Sequence, residues 1–154
     1  MKNKTVLTIC LIIIATIILV GGYFVFIKKD EPASFLKLEK IVLKDEEKKV
    51  KVNNKELTLK LSNGLLINGN KLDVEVITNI YSTGEYLIVA YKGNENDKYK
   101  FINEEGNEIP VTRVEINEDA EFSNLRLEAN KLVADTCDVI AEITYNEGKI
   151  TIKK

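Results

Sequence analysis

The sequence contains no histidine and no tryptophan among its 154 residues. The first absence removes the side chain that most often serves as a general base or a metal ligand at neutral pH. The second removes the largest aromatic ring that proteins use for stacking on ligands. Both absences argue against an enzyme, so we expect a non-enzymatic protein.

Cysteine is nearly absent as well. Cys10 lies inside an apolar segment and Cys137 lies far along the polar part of the chain, so the two cannot form an intramolecular disulfide. Cys137 also lacks a histidine that could activate it as a nucleophile. The four serines lie in no Gly-x-Ser-x-Gly or Ser-x-x-Lys motif, and no Gly-x-x-x-x-Gly-Lys phosphate loop occurs. The sequence therefore predicts no cofactor and indicates no small-molecule substrate.

Acidic side chains are missing from the first part of the chain. No Asp or Glu precedes Asp30, whereas four of the 22 basic residues do, which leaves 18 basic against 24 acidic residues from Asp30 onward. The folded part thus carries a net charge of −6, compared with −2 for the whole chain. Because nucleic-acid affinity depends on clustered Lys and Arg, nucleic acid is not expected as a partner.

A long uncharged run extends over residues 6–27. As a helix rising about 1.5 Å per residue it would span roughly 33 Å, close to the hydrocarbon thickness of a bilayer. Aromatic residues and then lysines end the run, the order expected where a helix leaves the membrane. These membrane-interface residues are Tyr23, Phe24, Phe26, Lys28 and Lys29. The sequence therefore predicts a single transmembrane helix with the lipid bilayer as a partner.

The anchor organises the rest of the chain. Residues 1–29 form a short cytoplasmic tail and the helix, residues 30–35 form a spacer, and residues 36–154 form the folded domain. The run is too long for a cleaved signal peptide, and no Ala-x-Ala site follows it. We expect an uncleaved signal-anchor in the cell membrane, with the N-terminus inside and the domain outside. Lysines lie on both sides of the run, so an inverted topology with a cytoplasmic sensor domain stays open.

Alternation of apolar and polar residues recurs after the spacer, as expected of half-buried strands. The alternating apolar sets are Leu57/Leu59/Leu61, Leu72/Val74/Val76, Val114/Ile116, Leu125/Leu127 and Ile150/Ile152. Residues 86–91 are apolar throughout, which predicts a central strand covered on both faces. We therefore predict an all-β domain, mainly an antiparallel sandwich or an open barrel, built around one core.

Residues that tolerate positive φ separate these runs. Asn53-Asn54, Asn68-Gly69 and Glu147-Gly148 are examples, and they predict tight hairpins. Residues 101–109 and 143–150 each place a glycine where a short hairpin loop needs it. Asn79 and the strand after it are repeated at Asn124 with an offset of 45 residues, which indicates two β-meander units.

Acidic clusters at residues 45–47, 95–97, 104–105 and 118–121 are the candidates for chemistry. A carboxylate-dependent hydrolase would need two of them in one cleft, one with a raised pKa. Solvated loop tips are the simpler interpretation. The loop at residues 94–97 carries oxygen ligands suited to calcium, but it lacks the spacing of an EF-hand.

A local group of aromatic residues is the candidate binding face. We select Tyr81, Tyr99, Phe101 and Arg113, because Tyr99 and Phe101 share one face of a strand. Core packing is the alternative for the rings, and a surface ion pair is the alternative for the arginine.

These predictions combine into one functional expectation. The chain is expected to be a membrane-anchored, extracytoplasmic β domain that acts as a non-enzymatic protein-interaction or structural module of a bacterial cell envelope. Its partner would be another envelope protein. The alternative is a carboxylate- or metal-dependent envelope hydrolase.

Overall fold

A computed structural model describes residues 36–44 and 46–154. The predicted anchor helix, the spacer and the membrane-interface residues Tyr23, Phe24, Phe26, Lys28 and Lys29 lie outside these ranges. Among the described residues, no helix has the length and apolar character needed to cross a bilayer. Residues from Leu36 to Lys154 form one compact unit.

The described residues form thirteen β-strands and no helix. The strands are β1 Glu39–Ile41, β2 Lys48–Val52, β3 Lys55–Leu61, β4 Leu65–Ile67, β5 Asn70–Lys71, β6 Ile77–Ser82, β7 Leu87–Lys92, β8 Asp97–Ile102, β9 Val111–Val114, β10 Ser123–Glu128, β11 Lys131–Asp135, β12 Ile140–Asn146 and β13 Lys149–Lys153. The prediction of an all-β domain is confirmed for this part of the chain.

Three sheets contain these strands. The central sheet has the order β1-β6-β7-β8, the first flanking sheet β2-β3-β4-β5, and the second flanking sheet β10-β11-β12-β13-β9. All neighbouring strands are antiparallel except β9, which runs parallel to β13. The alternation of apolar residues does not reveal this parallel pair, since it reports burial and not strand direction.

Strand β7 supplies apolar side chains to both faces of the central sheet. Leu87 and Val89 join Leu57 and other residues of the first flanking sheet. Ile88 joins the second flanking sheet in a separate cluster, and Tyr86, just before the strand, joins it too. The predicted central strand is therefore confirmed. The expectation of one core was wrong, because flanking sheets cover both faces of β7 and each face has its own core.

Asparagine and glycine turns close the hairpins where they were predicted. Asn53 and Asn54 both have positive φ, at 46° and 65°, and they join β2 to β3. Gly148, with φ of 75°, closes the β12–β13 hairpin. The turn between β10 and β11 was not predicted, and it places Ala129 and Asn130 at φ of 46° and 61°. Alanine is an unusual residue there because its Cβ disfavours this conformation.

The predicted strand over Leu72, Val74 and Val76 is wrong. Strand β5 ends at Lys71, and Val76 is 53% exposed. Strand β5 pairs with β4, which has only three residues, so the ladder between them is short. The residues after β5 leave the sheet. Alternation indicates a one-sided apolar pattern, but a strand also needs a neighbour with free hydrogen-bonding groups.

The two segments related by the 45-residue offset each begin a meander. Strands β6-β7-β8 and β10-β11-β12 are consecutive neighbours in their sheets. In both units the first strand has a register shift near its start, between Ile77 and Asn79 and between Ser123 and Arg126. The related residues Asn79 and Asn124 differ in detail, because Asn79 pairs with Ala90 just after its shift, whereas Asn124 lies inside its shift and has a φ of 51°.

Candidate functional site

The structure divides the predicted binding face between the core and its rim. Tyr99 and Phe101 share one face of β8, as predicted, and that face packs against the second flanking sheet. Phe101 is 1% exposed and Tyr99 is 8% exposed. Tyr81 on β6 packs at the edge of the same cluster and is half-buried. The core-packing alternative therefore describes the positions of both Phe101 and Tyr99.

Arg113 lies beside the rings without joining an ion pair within the described residues. Its Cζ is 5.6 Å from the centroid of Phe122, and its Nη1 donates a 2.8 Å hydrogen bond to the carbonyl of Asn117. The ring of Phe122 also stacks on Tyr99, with centroids 5.1 Å apart and planes inclined by 15°. The interpretation of Arg113 as a surface ion pair is replaced by a cation–π contact.

Tyr81 and Tyr99 line a groove of about 440 Å³ between the central sheet and the start of β10. Asn79 and Tyr99 lie on either side of Ala90 in the register of the central sheet. Two strand spacings separate them, which corresponds to roughly 10 Å.

Backbone pairing closes one side of this groove. The amide of Asp97 donates to the carbonyl of Phe122 at 3.0 Å, and the amide of Phe122 donates to the carbonyl of Asp97 at 2.7 Å. This bridge ties the first residue of β8 to the residue before β10. A ligand at this point of the groove would contact side chains and not the backbone, since the backbone groups of the bridge are already paired.

Tyr99 is the most buried polar residue of the central sheet that lines the groove. Its hydroxyl forms no hydrogen bond with any residue that the structure describes. Every buried side-chain oxygen or nitrogen among these residues has a hydrogen-bond partner, so the unpaired Tyr99 hydroxyl is open to solvent. Burial raises the pKa of Tyr99, and the nearby Tyr81 and Asp97 raise it further. The hydroxyl consequently keeps its proton at physiological pH and can donate it in a hydrogen bond.

A charged network supports the opposite wall of the groove. Asp135 accepts hydrogen bonds from the Asn124 amide at 3.0 Å and from Nη1 of Arg126 at 2.7 Å. These two contacts lower the pKa of the Asp135 carboxyl, with Asn124 contributing more. Arg126 also donates through Nε to Glu128 at 2.6 Å. Arg126 is therefore paired with two acidic side chains, whereas Arg113 is paired with none within the described residues.

A second cavity, of about 530 Å³, lies among the loops after β7, β9 and β11. Its lining includes acidic side chains from two of the acidic clusters identified in the sequence, residues 95–97 and 118–121, together with two further acidic residues and the exposed Cys137. The acidic lining residues are Glu95, Glu115, Asp119, Glu121 and Asp138. Within residues 36–44 and 46–154, no three of the Asp, Glu and Cys side chains are grouped closely enough to hold a metal ion.

Glu121 is the best-defined carboxylate of this cavity. It accepts hydrogen bonds from the backbone amides of Asn94 at 2.5 Å, Glu95 at 2.8 Å and Asn96 at 2.7 Å. These bonds lower the pKa of the Glu121 carboxyl, which is the opposite of what a general acid requires. Gly93 makes the approach possible, since a Cβ there would lie 2.4 Å from Oε1 of Glu121.

The loop at residues 94–97 therefore differs from the suggested calcium site. Its amides at Asn94, Glu95 and Asn96 converge on a carboxylate, so the concave side of the loop binds an anion supplied by the chain itself. Convergent N–H groups repel a cation at the same position. The sequence missed this arrangement because Glu121 lies more than twenty residues away from the loop.

Comparison of the chain with protein-family models, with curated proteins and with solved structures found no match.

Proposed function

We propose that this chain is a membrane-anchored, extracytoplasmic interaction module of a bacterial cell envelope, with no enzymatic activity. The uncharged run at residues 6–27 and the lysines after it support the anchor. The observation that carries the interaction role is the free outer edge of strand β9, which ends the second flanking sheet.

The outward backbone groups of β9 belong to Val111 and Arg113. The amide of Ile150 donates to the carbonyl of Pro110, and the amide of Lys154 donates to that of Val114. In this parallel register the inner ladder uses the backbone of residues 110, 112 and 114. The N–H and C=O groups of Val111 and Arg113 therefore point away from β13, and no described strand pairs with them.

Other sheet edges carry features that oppose pairing with a foreign strand. Strand β2 bears Lys48, Lys49 and Lys51, and β10 is interrupted by a bulge and bears Arg126. Strands β1 and β5 have three and two residues, and β8 is bridged at both ends. Charges, bulges and short length are the usual protections of an edge.

Strand β9 is also short, with four residues, and bears Arg113, but it presents exposed apolar side chains beside its free backbone groups. Val111 and Val114 are 38% and 46% exposed. A row of free backbone groups beside exposed valines suits an extended strand of another protein, which would add to the sheet by main-chain hydrogen bonds. The partner we propose is an envelope protein that contributes such a strand.

The test uses the full chain in intact cells, with a photo-crosslinking residue at Val114, which is 46% exposed, or at Val76, which is 53% exposed. We expect a discrete crosslinked partner from position 114 and none from position 76. Val111→Pro removes an outward N–H without touching the β13 ladder, so it should abolish the crosslink, whereas Val111→Thr should retain it. Equal crosslinking at positions 114 and 76, or a crosslink that survives Val111→Pro, would overturn the proposal.

A carboxylate-dependent envelope hydrolase is the second candidate. The observation in its favour is that Glu95, Asp119 and Glu121 line one cavity. It requires two catalytic carboxyls, and Glu121 is committed to the loop amides. If a hydrolytic activity of the full chain were found and Asp119→Asn abolished it while Glu118→Gln did not, this candidate would replace the interaction module.

A further inference from the structure

The dipeptide Asn-Gly occurs twice in the chain, at Asn63-Gly64 and at Asn68-Gly69. Asparagine is a chemically labile residue, because the backbone nitrogen of the next residue can attack its side-chain amide. Glycine in that next position leaves the nitrogen accessible, since it has no Cβ to shield it. Both asparagines are exposed and lie in turns on either side of β4, so the same chemistry meets two different local structures.

Hydrogen bonds to β3 hold Asn68 at two points. Its side-chain Oδ1 accepts from the amide of Thr58 at 2.9 Å, and its own amide donates to the carbonyl of Thr58 at 2.9 Å. Bringing Cγ of Asn68 onto the nitrogen of Gly69 requires the side chain to rotate, which breaks the bond to the Thr58 amide. The fold therefore opposes the reaction at this asparagine.

No such contact holds Asn63. Within the part of the chain that the structure describes, its side-chain amide forms no hydrogen bond, and the amide of Gly64 donates none. The turn is closed by a bond from the amide of Ser62 to the carbonyl of Gly64 at 2.9 Å, which uses neither reacting group. The backbone angle does not separate the two sites, since φ is 50° at Asn63 and at Asn68. The hydrogen bonds are the difference between them.

We propose that Asn63 is a site of spontaneous deamidation in the folded protein and that the fold protects Asn68. The nitrogen of Gly64 forms a bond to Cγ of Asn63, and the bond from Cγ to Nδ2 breaks. Nδ2 leaves as ammonia with the proton lost by the Gly64 nitrogen. Water, the only co-reactant, then opens the resulting succinimide ring at either carbonyl. The product at position 63 is an aspartate or its isomer, in which the main chain runs through the side-chain carbons.

The modification alters the hairpin between β3 and β4. Both products add a carboxylate, and the isomer also adds one atom to the main chain of the loop between the paired residues Leu61 and Leu65. Leu65 is fully buried in the core that also contains Leu87 of β7. Because loop length fixes the register of a hairpin, the lengthened loop no longer fits this pairing. Deamidation should therefore weaken the first flanking sheet.

The test follows the full chain in detergent micelles during incubation in mildly alkaline buffer. Trypsin releases a peptide that begins after Lys60, ends at Lys71 and carries both asparagines. Fragmentation of this peptide in the mass spectrometer assigns the deamidated fraction to each position. Sampling over time then gives a rate for each asparagine in the folded protein.

A parallel incubation in concentrated urea gives the rate of each dipeptide without the fold. It corrects for the different residues that precede the two sites, Ser62 and Ile67. The ratio of the unfolded to the native rate measures the protection of each asparagine. We expect the protection of Asn68 to exceed that of Asn63 by about threefold to tenfold, the range for one hydrogen bond that must break.

A second measurement compares fresh and aged samples by urea unfolding. The native chain should lose stability in proportion to the fraction deamidated at position 63. Asn63→Gly removes the side-chain amide and suits the positive φ of this position, so this variant should lose little on ageing. Asn107→Gln, at an exposed asparagine of another loop, is the matched control and should age as the native chain does.

Each outcome decides the inference. Greater protection of Asn68 than of Asn63, with an ageing loss that Asn63→Gly prevents and Asn107→Gln does not, supports it. Equal protection of the two asparagines, faster reaction at Asn68, no deamidation of the folded chain, or an ageing loss that persists in Asn63→Gly overturns it. Neither the anchor nor the β9 edge takes part in this chemistry, so the result is independent of the proposed function.

Discussion

Oε2 of Glu121 lies 2.7 Å from the backbone nitrogen of Asn96, although the two residues lie in different loops. The same carboxylate accepts two further amides, so it fixes the conformation of the loop between β7 and β8. That loop borders both cavities, since Glu95 lines the groove and also the larger cavity. The conformation of this loop therefore affects the shape of both cavities.

The first prediction concerns the pH dependence of this contact. The ordinary pKa of a glutamate is 4.5, and the amides of Asn96, Asn94 and Glu95 hold the pKa of folded Glu121 below it. The depressed pKa means that the stabilisation is present above about pH 4.5 and is lost as the pH falls through the folded value. NMR titration should show the loop amides shifting with a midpoint below 4.5.

Glu121→Gln should remove that titration and speed hydrogen exchange of the three amides, while Glu118→Gln, which changes an exposed neighbour, should do neither. A midpoint above 4.5, or the same titration in Glu121→Gln, would contradict the role assigned to the carboxylate.

The second prediction concerns Gly93, where any side chain would collide with the loop. A Cβ would lie 2.4 Å from Oε1 of Glu121 and 2.6 Å from the carbonyl oxygen of Asn96. The carbonyl belongs to the backbone and cannot move alone. Gly93→Ala should therefore destabilise the domain by about 1–3 kcal/mol, the usual cost of overpacking, as measured by urea unfolding. Because Glu121→Ala removes the side-chain part of the collision, Gly93→Ala should cost less in a Glu121→Ala background than in the native chain, but still more than nothing. Full stability of Gly93→Ala in the native chain would contradict the close approach.

The third prediction follows from the two cores. Leu87 and Ile88 are adjacent in sequence, are both fully buried and point to opposite faces of β7. Leu87→Ala and Ile88→Ala should each cost about 2–5 kcal/mol, as is usual for large-to-small changes in a core. Ile140→Ala, at an exposed strand position, is the control and should cost far less. If one of the two β7 variants were as mild as the control, one face of the central sheet would be open to solvent.

The fourth prediction concerns the turn between β10 and β11. Ala129 has a φ of 46°, a left-handed conformation that costs an L-residue about 1–2 kcal/mol and costs glycine almost nothing. Ala129→Gly should therefore stabilise the domain by about 1 kcal/mol, after the larger chain entropy of glycine is subtracted. Ala120→Gly, at a residue without positive φ, should destabilise it. Loss of stability in Ala129→Gly would mean that the turn does not strain alanine.

Local patterns predicted most strands and most turns, because burial of one strand face and positive φ in a turn both restrict which residue types occur there. The apolar stretch at residues 86–91 predicted the central strand, and Asn53-Asn54 predicted a hairpin. The turn at Ala129 and Asn130 was missed, since only Asn130 is a typical turn residue and alanine is not. The stretch from Leu72 to Val76 has the alternation of a strand but has no partner, and pairing is a tertiary property.

The candidate groove could be predicted only in part. Tyr81 and Tyr99 were selected from an aromatic enrichment, and both line it. Asn79 and Ser123 were missed as site residues, because they meet only when β10 packs against the central sheet. The 45-residue offset between Asn79 and Asn124 was the available signal, since residues related by a repeat can face each other across two packed units.

The last prediction concerns the anchor. An uncharged run of the length of residues 6–27 is stable in hydrocarbon, and removing it from the bilayer exposes all of its apolar surface to water. The full chain should therefore stay in the membrane fraction after high-salt and alkaline washing, which release proteins held by charge. Two charged substitutions at the centre of the run, Ile13→Lys and Ile17→Lys, should move the chain to the soluble fraction, because each lysine at this depth costs about 2.5–3.5 kcal/mol.

Protease added to intact cells should digest the domain while a cytoplasmic marker survives. Protection of the domain under these conditions would place it inside the cell, and release of the unaltered chain by salt would mean that it has no membrane-spanning anchor.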